Sequence, residues 1–226
     1  MGTHSNWNKE YNNCTLLNAL ENPSIESAQA VFLGVAFDGT TTYHKGADKG
    51  PFALLEASHQ IEPEPVLGSV PLNERVAIHN AGILEFPSNR ENGMQKERSE
   101  NEVRALAREM VQEVQTACIP ALQEKKFLFV GGGEHSVANG IWQALARVHK
   151  PKDITILHVD AHLDLRDAYW NQKYGHGSVM ARAKEFGFKT VHVGIRDHVG
   201  AEEQKQIQRY ALRERVFYCA TQPKAF

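Results

Sequence analysis

The sequence predicts an α/β protein built on a parallel, doubly wound sheet in three layers. Three observations predict it. Short apolar runs alternate along the chain with stretches of helical periodicity. Motifs rich in Asp, His and Gly stand where these runs end, and sheets of this class bind ligands outside the carboxyl ends of their strands. No internal repeat or linker breaks the alternation, so the 226 residues are expected to form a single domain, 1–226.

The elements follow in order. Residues 1–29 are polar and read as a loosely ordered arm with a short helix. Ala30 to Phe37 is an apolar run with the length of a buried strand. Asp38-Gly39-Thr40-Thr41-Thr42-Tyr43 is a hydroxyl-rich polar loop, either the lining of a pocket or a turn with an Asx motif, and Gly46 to Gly50 is a turn. Pro51 suits the first position of a helix running to about Gln60. Pro63, Pro65 and Pro71 mark a surface loop, and Arg75 to Ile78 is a weaker strand. Residues 87–100 begin polar and helix-breaking, which predicts a loop. From Ser99 the pattern turns helical, with Val103, Leu106, Met110, Val114 and Ala117 on one face. Phe127 to Val130 is a short buried strand running into Gly131-Gly132-Gly133-Glu134-His135-Ser136. A helix follows, with Val137, Ile141, Leu145 and Val148 inward. Ile154 to Val159 is a strand, and a loop at 166–173 leads to Tyr174-Gly175-His176-Gly177-Ser178 and a helix ending at Phe186. Thr190 to Ile195 is a strand, Ala201 to Arg213 a helix and Val216 to Cys219 the last strand.

Composition narrows the function. A net charge of −2 gives a nucleic-acid partner no electrostatic support. No apolar run is long enough to span a bilayer, so no membrane partner is expected. Met1 to Glu10 lacks the apolar core of a signal peptide. Cys14, Cys118 and Cys219 are scattered without a C-x-x-C pair, as in reduced thiols, and a cytoplasmic protein is expected.

The chemistry concentrates in Thr155 to Asp164, a β-rich run ending in Asp-x-His-x-Asp. Polar side chains at the end of a buried strand are costly unless something satisfies them. One or two divalent ions would do so. In an extended chain Asp160, His162 and Asp164 point to one side. Carboxylate with imidazole suits a first-row ion such as Mn²⁺ or Zn²⁺. A strand-end turn whose aspartates bond the backbone uses the same residues. His158 shares their parity but lies deeper, as a core histidine or one behind the ligands. The glycines before His135 allow a sharp turn, which brings His135 beside Asp160 if the two strands are adjacent. A phosphate-cradling loop is the alternative, but G-x-G-x-x-G and Gly-Lys-Ser/Thr are both missing. His176, between Gly175 and Gly177, is either a proton shuttle, imidazole being the side chain suited to that task near neutrality, or an idle histidine at a helix start.

At these residues the chain resembles the ureohydrolase family of arginases and agmatinases, and is most similar to the agmatinase branch. The resemblance rests on Gly34 to Thr41, Lys45 to Pro51, Gly132-Gly133-Glu134-His135-Ser136, Asp160-Ala161-His162-Leu163-Asp164-Leu165-Arg166, Tyr174-Gly175-His176 with Val179-Met180, and Val193-Gly194-Ile195-Arg196, in family order. It implies an arginase-like fold and a dinuclear Mn²⁺ site. His135 and Asp164 would hold one ion and His162 the other, Asp160 would bridge them, and His176 would be the proton shuttle. It implies hydrolysis of a guanidino group by a metal-bridging hydroxide, with agmatine converted to putrescine and urea. It also implies a homo-oligomer, a trimer or hexamer. The sequence departs from the family in two places. Ile78-His79-Asn80-Ala81-Gly82 stands where relatives often carry acidic residues, and nothing after Arg196 matches the family's later Asp-x-Asp motif. The fold is therefore expected to be C-terminally incomplete, with the second ion held weakly and little turnover by this chain. A non-catalytic remnant acting as a binding or assembly partner, a ureohydrolase for arginine or a guanidino acid, and a single-zinc amidohydrolase remain open at this point.

Overall fold

The computed structural model describes residues 6–8, 10–11, 14–62, 70–87, 90–91, 94–95 and 97–219. The elements are β1 (Trp7–Asn8), β2 (Ala30–Ala36), α1 (Gly50–Ser58), α2 (Leu72–Arg75), β3 (Ile78–Glu85), β4 (Arg90–Glu91), β5 (Met94–Gln95), α3 (Glu100–Gln123), β6 (Phe127–Gly132), α4 (Ala138–Val148), β7 (Thr155–Val159), α5 (Val179–Phe186), β8 (Lys189–Ile195), α6 (Ala201–Arg209) and β9 (Val216–Tyr218). Pro63 and Pro65, read as part of a surface loop, lie outside the described residues.

The first sheet has the order β1-β3-β2-β6. β2 runs parallel to β3 and β6, while β1 is antiparallel to β3. β2 is apolar throughout because both of its faces are covered. Phe32 and Ala36 pack with Leu55 of α1, and Leu33, Val35 and Phe37 pack with Leu106, Met110 and Val114 of α3. Helices on both faces make the three layers that the apolar run predicts. α3 starts at Ser99, whose hydroxyl accepts from Glu102 N at 3.3 Å while Glu102 accepts from Ser99 N at 2.8 Å. α4 crosses α3 closely at Gly140, where a Cβ would come within 2.6 Å of the Val114 side chain.

The second sheet, β7-β8-β9, is wholly parallel. One face packs into a second core with Ile156, Met180, Phe188, Ile195 and Leu212. The other face of β7 is open, with Leu157 65 % and Val159 73 % exposed. The single sheet expected from the alternation is thus present as two sheets. β6 and β7 are edge strands of different sheets and do not pair with each other. α4 joins the two halves, since Leu145 packs against both cores.

Four expectations change. No helix forms among the described residues before β2, and the arm instead adds β1 to the sheet, pairing Trp7 with Leu84. Arg75 closes a helical turn, and the strand expected at Arg75–Ile78 begins only at Ile78 and runs to Glu85. Asn80 disguises that strand. It is buried because its amide donates to the carbonyls of Tyr11 and Cys14, so a polar residue ties the arm to the sheet. The stretch 87–100 holds the antiparallel β4–β5 pair. α6 ends at Arg209, four residues early, and Ala211 takes a positive φ of 50°. Among the described residues no helix is long and apolar enough to cross a membrane.

Candidate metal centre

The centre forms where the loops after β6 and β7 meet. After β6 the backbone passes tightly against the end of β2. Gly133 N donates to Val35 O at 2.8 Å and Glu134 N to Phe37 O at 2.9 Å. A Cβ at Gly133 would fall on the Phe37 carbonyl, so only glycine fits. The turn delivers His135 to the second loop. After β7, Arg196 N and Asp197 N both donate to Ala161 O, at 2.9 and 3.2 Å, which pins that loop to the end of β8. Asp164 has a φ of 52°, and its carbonyl accepts from Met180 N and Ala181 N at the start of α5.

His135 Nδ1 is 2.8 Å from Asp164 Oδ2 and 3.5 Å from Asp160 Oδ2. Burial works to lower the His135 pKa, but the Asp164 and Asp160 carboxylates outweigh it and raise the pKa. Burial works to raise Asp160, but the His162 backbone N–H, at 2.9 Å, and the nearby histidines hold it low. His135, Asp160 and Asp164, three of the four residues expected to bind metal, are thus brought together. The fourth is not part of the same cluster. His162 is 58 % exposed, with Nδ1 3.3 Å from Asp160 Oδ1 and Nε2 3.3 Å from Asp197 Oδ2. His158 is in the cluster instead. The donor atoms of His135, His158, Asp160 and Asp164 all lie within 4.8 Å of one another. Burial pulls the pKa of His158 down, and that of His192 behind it down to about 4.

His176 lies across a cavity from this cluster. Its backbone N–H donates to Thr40 Oγ1 at 3.2 Å, and its Nδ1 is 3.5 Å from the same oxygen. The hydroxyl-rich loop therefore does more than turn. Thr40 Oγ1 also donates to the buried Glu134 carboxylate at 2.7 Å, and the other Glu134 oxygen accepts from Ser136 N at 2.9 Å. Tyr169 meets the His176 ring edge-on, with centroids 5.2 Å apart. Two cavities open beside His176. One of about 350 Å³ is lined by Thr40, Lys45, Glu100, Tyr169 and Trp170. The other, about 220 Å³, touches the cluster and is lined by His162, Asp164, Arg166, Asp197 and Glu203. Arg166 lies over the Tyr169 ring, 4.6 Å from its centroid, with Nε 3.9 Å from Glu203 Oε2.

Sequence reasoning did not give Glu134, Asp197 or Glu203 a role, and it left the Thr40 loop between a pocket lining and a turn, where the structure lines the larger cavity with it. Glu203 is buried, and burial raises its pKa against the N–H of Leu165 and the charge of Arg166, which lower it. Nothing in its helical pattern sets it apart, because its burial depends on the 163–166 loop folding over it.

The fold and these motifs place the chain in a known family. The arginase family model matches residues 28–217, and the chain belongs to that family. It is 33 % identical over 182 residues to an N(1)-aminopropylagmatine ureohydrolase of Synechocystis, covering 78 % of this chain and 55 % of that protein. It is 31 % identical over 172 residues to an agmatinase of Pyrococcus horikoshii, covering 76 % and 53 %. The crystal structure of the agmatine ureohydrolase of Thermoplasma volcanium superposes with a TM-score of 0.66 at 23 % identity, over 90 % of this chain and 60 % of that one. The chain thus spans about half the length of the curated relatives it matches.

Proposed function

We propose that the chain is an agmatinase-type ureohydrolase. The observation that carries this reading is the meeting of His135 with Asp160 and Asp164 at the mouth of a cavity that also holds His176. The donors fit a divalent ion, being two imidazoles and two carboxylates with one buried ring nitrogen, His158 Nε2, left without a hydrogen bond. Manganese is the ion this reading assigns. His135, Asp160 and Asp164 would hold the first ion, and His162 with the shared Asp160 the second. Such an ion lowers the pKa of water and polarises the bond to be broken.

The chain's own residues do the rest. Asp164, Asp197 and Glu203 line the smaller cavity together with Arg166, so carboxylates outnumber guanidinium groups there, which suits a cationic substrate. Thr40, fixed by Glu134, holds the His176 backbone and faces its Nδ1. That leaves Nε2 to pass a proton to the departing amine. Agmatine is the substrate this reading favours, with N(1)-aminopropylagmatine the nearest alternative, given the name of the Synechocystis relative. A cytoplasmic site of action and assembly into a homo-oligomer belong to the same reading, and the three cysteines carry no disulfide.

The test is urea release by the chain after chelation and reloading with Mn²⁺. Agmatine, N(1)-aminopropylagmatine, arginine and guanidinobutyrate are compared. Urea from either agmatine compound supports the proposal, and urea from arginine alone reassigns the substrate. Bound manganese with no urea from any of the four would leave a binding or assembly partner as the better reading.

A further inference from the structure

We propose that His158 is itself a ligand of the metal centre, through Nε2, and that His192 and Thr190 fix the tautomer this requires. The inference rests on the reading of the two loops as a metal centre.

His158 is 5 % exposed, and its Nε2 has no hydrogen-bond partner. That nitrogen faces the cluster, 3.6 Å from Asp160 Oδ2 and 3.9 Å from Asp164 Oδ2, both beyond hydrogen-bond length. A buried ring nitrogen left without a partner is costly. An ion among these donors removes that cost. Four donors around an ion with bonds of about 2.1 Å stand about 3.4 Å apart. His135 Nδ1 stands 2.8 Å from Asp164 and 3.5 Å from Asp160, His158 Nε2 stands 3.6 and 3.9 Å from Asp160 and Asp164, and no donor pair exceeds 4.8 Å, so small shifts would close the four on one ion. The His135 ring stacks on His158, with centroids 5.4 Å apart and planes 18° from parallel.

The other nitrogen of His158 decides whether Nε2 can bind. His158 Nδ1 and His192 Nδ1 are 3.0 Å apart, so one must donate and the other accept. A ligand nitrogen needs its lone pair. A neutral His158 with Nε2 on the ion therefore carries its hydrogen on Nδ1 and donates it to His192 Nδ1. His192 then carries its own hydrogen on Nε2, 3.1 Å from Thr190 Oγ1, which accepts it. Thr190 and His192 are both fully buried, so water does not compete for these bonds. Metal-bound histidines commonly give their second N–H to a fixed acceptor in this way. β7 and β8 pair in register at His158 and His192, so the relay is part of the sheet itself.

The experiment uses Zn²⁺, a diamagnetic probe ion, added to the chelator-stripped chain. Long-range ¹H–¹⁵N spectra follow each imidazole nitrogen. We expect His158 Nε2 to move to the position of a metal-bound nitrogen while its Nδ1 keeps its hydrogen. We also expect Thr190→Val to weaken Zn²⁺ binding about 10- to 100-fold and Thr190→Ser to restore it. If Zn²⁺ moves the His135 signals but leaves His158 Nε2 in place, the inference is wrong and the centre stands. If Thr190→Val, checked for native folding by its spectrum, binds as tightly as the unaltered chain, the relay is wrong. If no imidazole responds to Zn²⁺, the inference and the metal-centre reading fall together.

Discussion

At the scale of the residue, the sequence carries the identity of the donors better than their aim. Asp160, His162 and Asp164 share a parity that matters only while the backbone stays extended. The strand ends at Val159, and Asp164 already has a positive φ, so His162 turns outward to Asp197 while Asp164 turns inward to His135. His158 is the last histidine still inside the strand, on the buried side with Ile156, and for that reason it reaches the cluster. Thr40 shows the reverse, a residue with no chemical signature whose hydroxyl joins two loops. Thr40→Val should cost about 1–3 kcal/mol, because the Glu134 carboxylate loses a buried donor and the His176 N–H loses its acceptor. Urea denaturation measures the loss, and Thr40→Ser should recover most of it.

Among the elements, those with strong periodicity were readable and those held by polar staples were not. α3 starts at the expected Ser99 and buries the expected Leu106, Met110 and Val114. β3 starts and ends later than its expected span of Arg75–Ile78 because its pattern includes His79, Asn80 and Gly82, and because Asn80 is satisfied by the arm rather than by its own neighbours. β1 has no signal in the arm, expected to be loosely ordered with a short helix, because its two residues are too few to show a period. The α3–α4 crossing depends on Gly140 in a way helix propensity hides. Gly140→Ala improves propensity by about 1 kcal/mol. It also drives a methyl group into Val114 and within 2.9 Å of the Val111 carbonyl. Overpacking of this kind costs about 1–3 kcal/mol, so the variant should be less stable, with a lower melting temperature than the parent.

For the molecule as a whole, alternation gave the parallel α/β class correctly but not the break between β6 and β7, since strand order depends on ladder bonds that no local pattern records. Stability should also depend on pH. Burial holds the folded His192 at a pKa of about 4, while an unfolded histidine titrates near 6.5. The unfolded chain therefore binds more protons between these values, and stability present above about pH 6.5 is lost as pH falls toward about 4. The loss should approach about 3 kcal/mol in the chelator-treated chain. Equilibrium unfolding at a series of pH values checks this, and His192→Gln should flatten the curve over that interval.

The two sheets share no ladder bonds and are joined through α4, yet His135 belongs to the end of one while Asp160 and Asp164 belong to the end of the other. An ion held between them would act as a clasp. Without it, the β7–β9 half should open on its own, and its amides should exchange with deuterium well before those of β2. Adding Mn²⁺ should slow the faster half toward the pace of the slower one, and mass spectrometry of the exchanged peptides would record the two halves becoming one cooperative body.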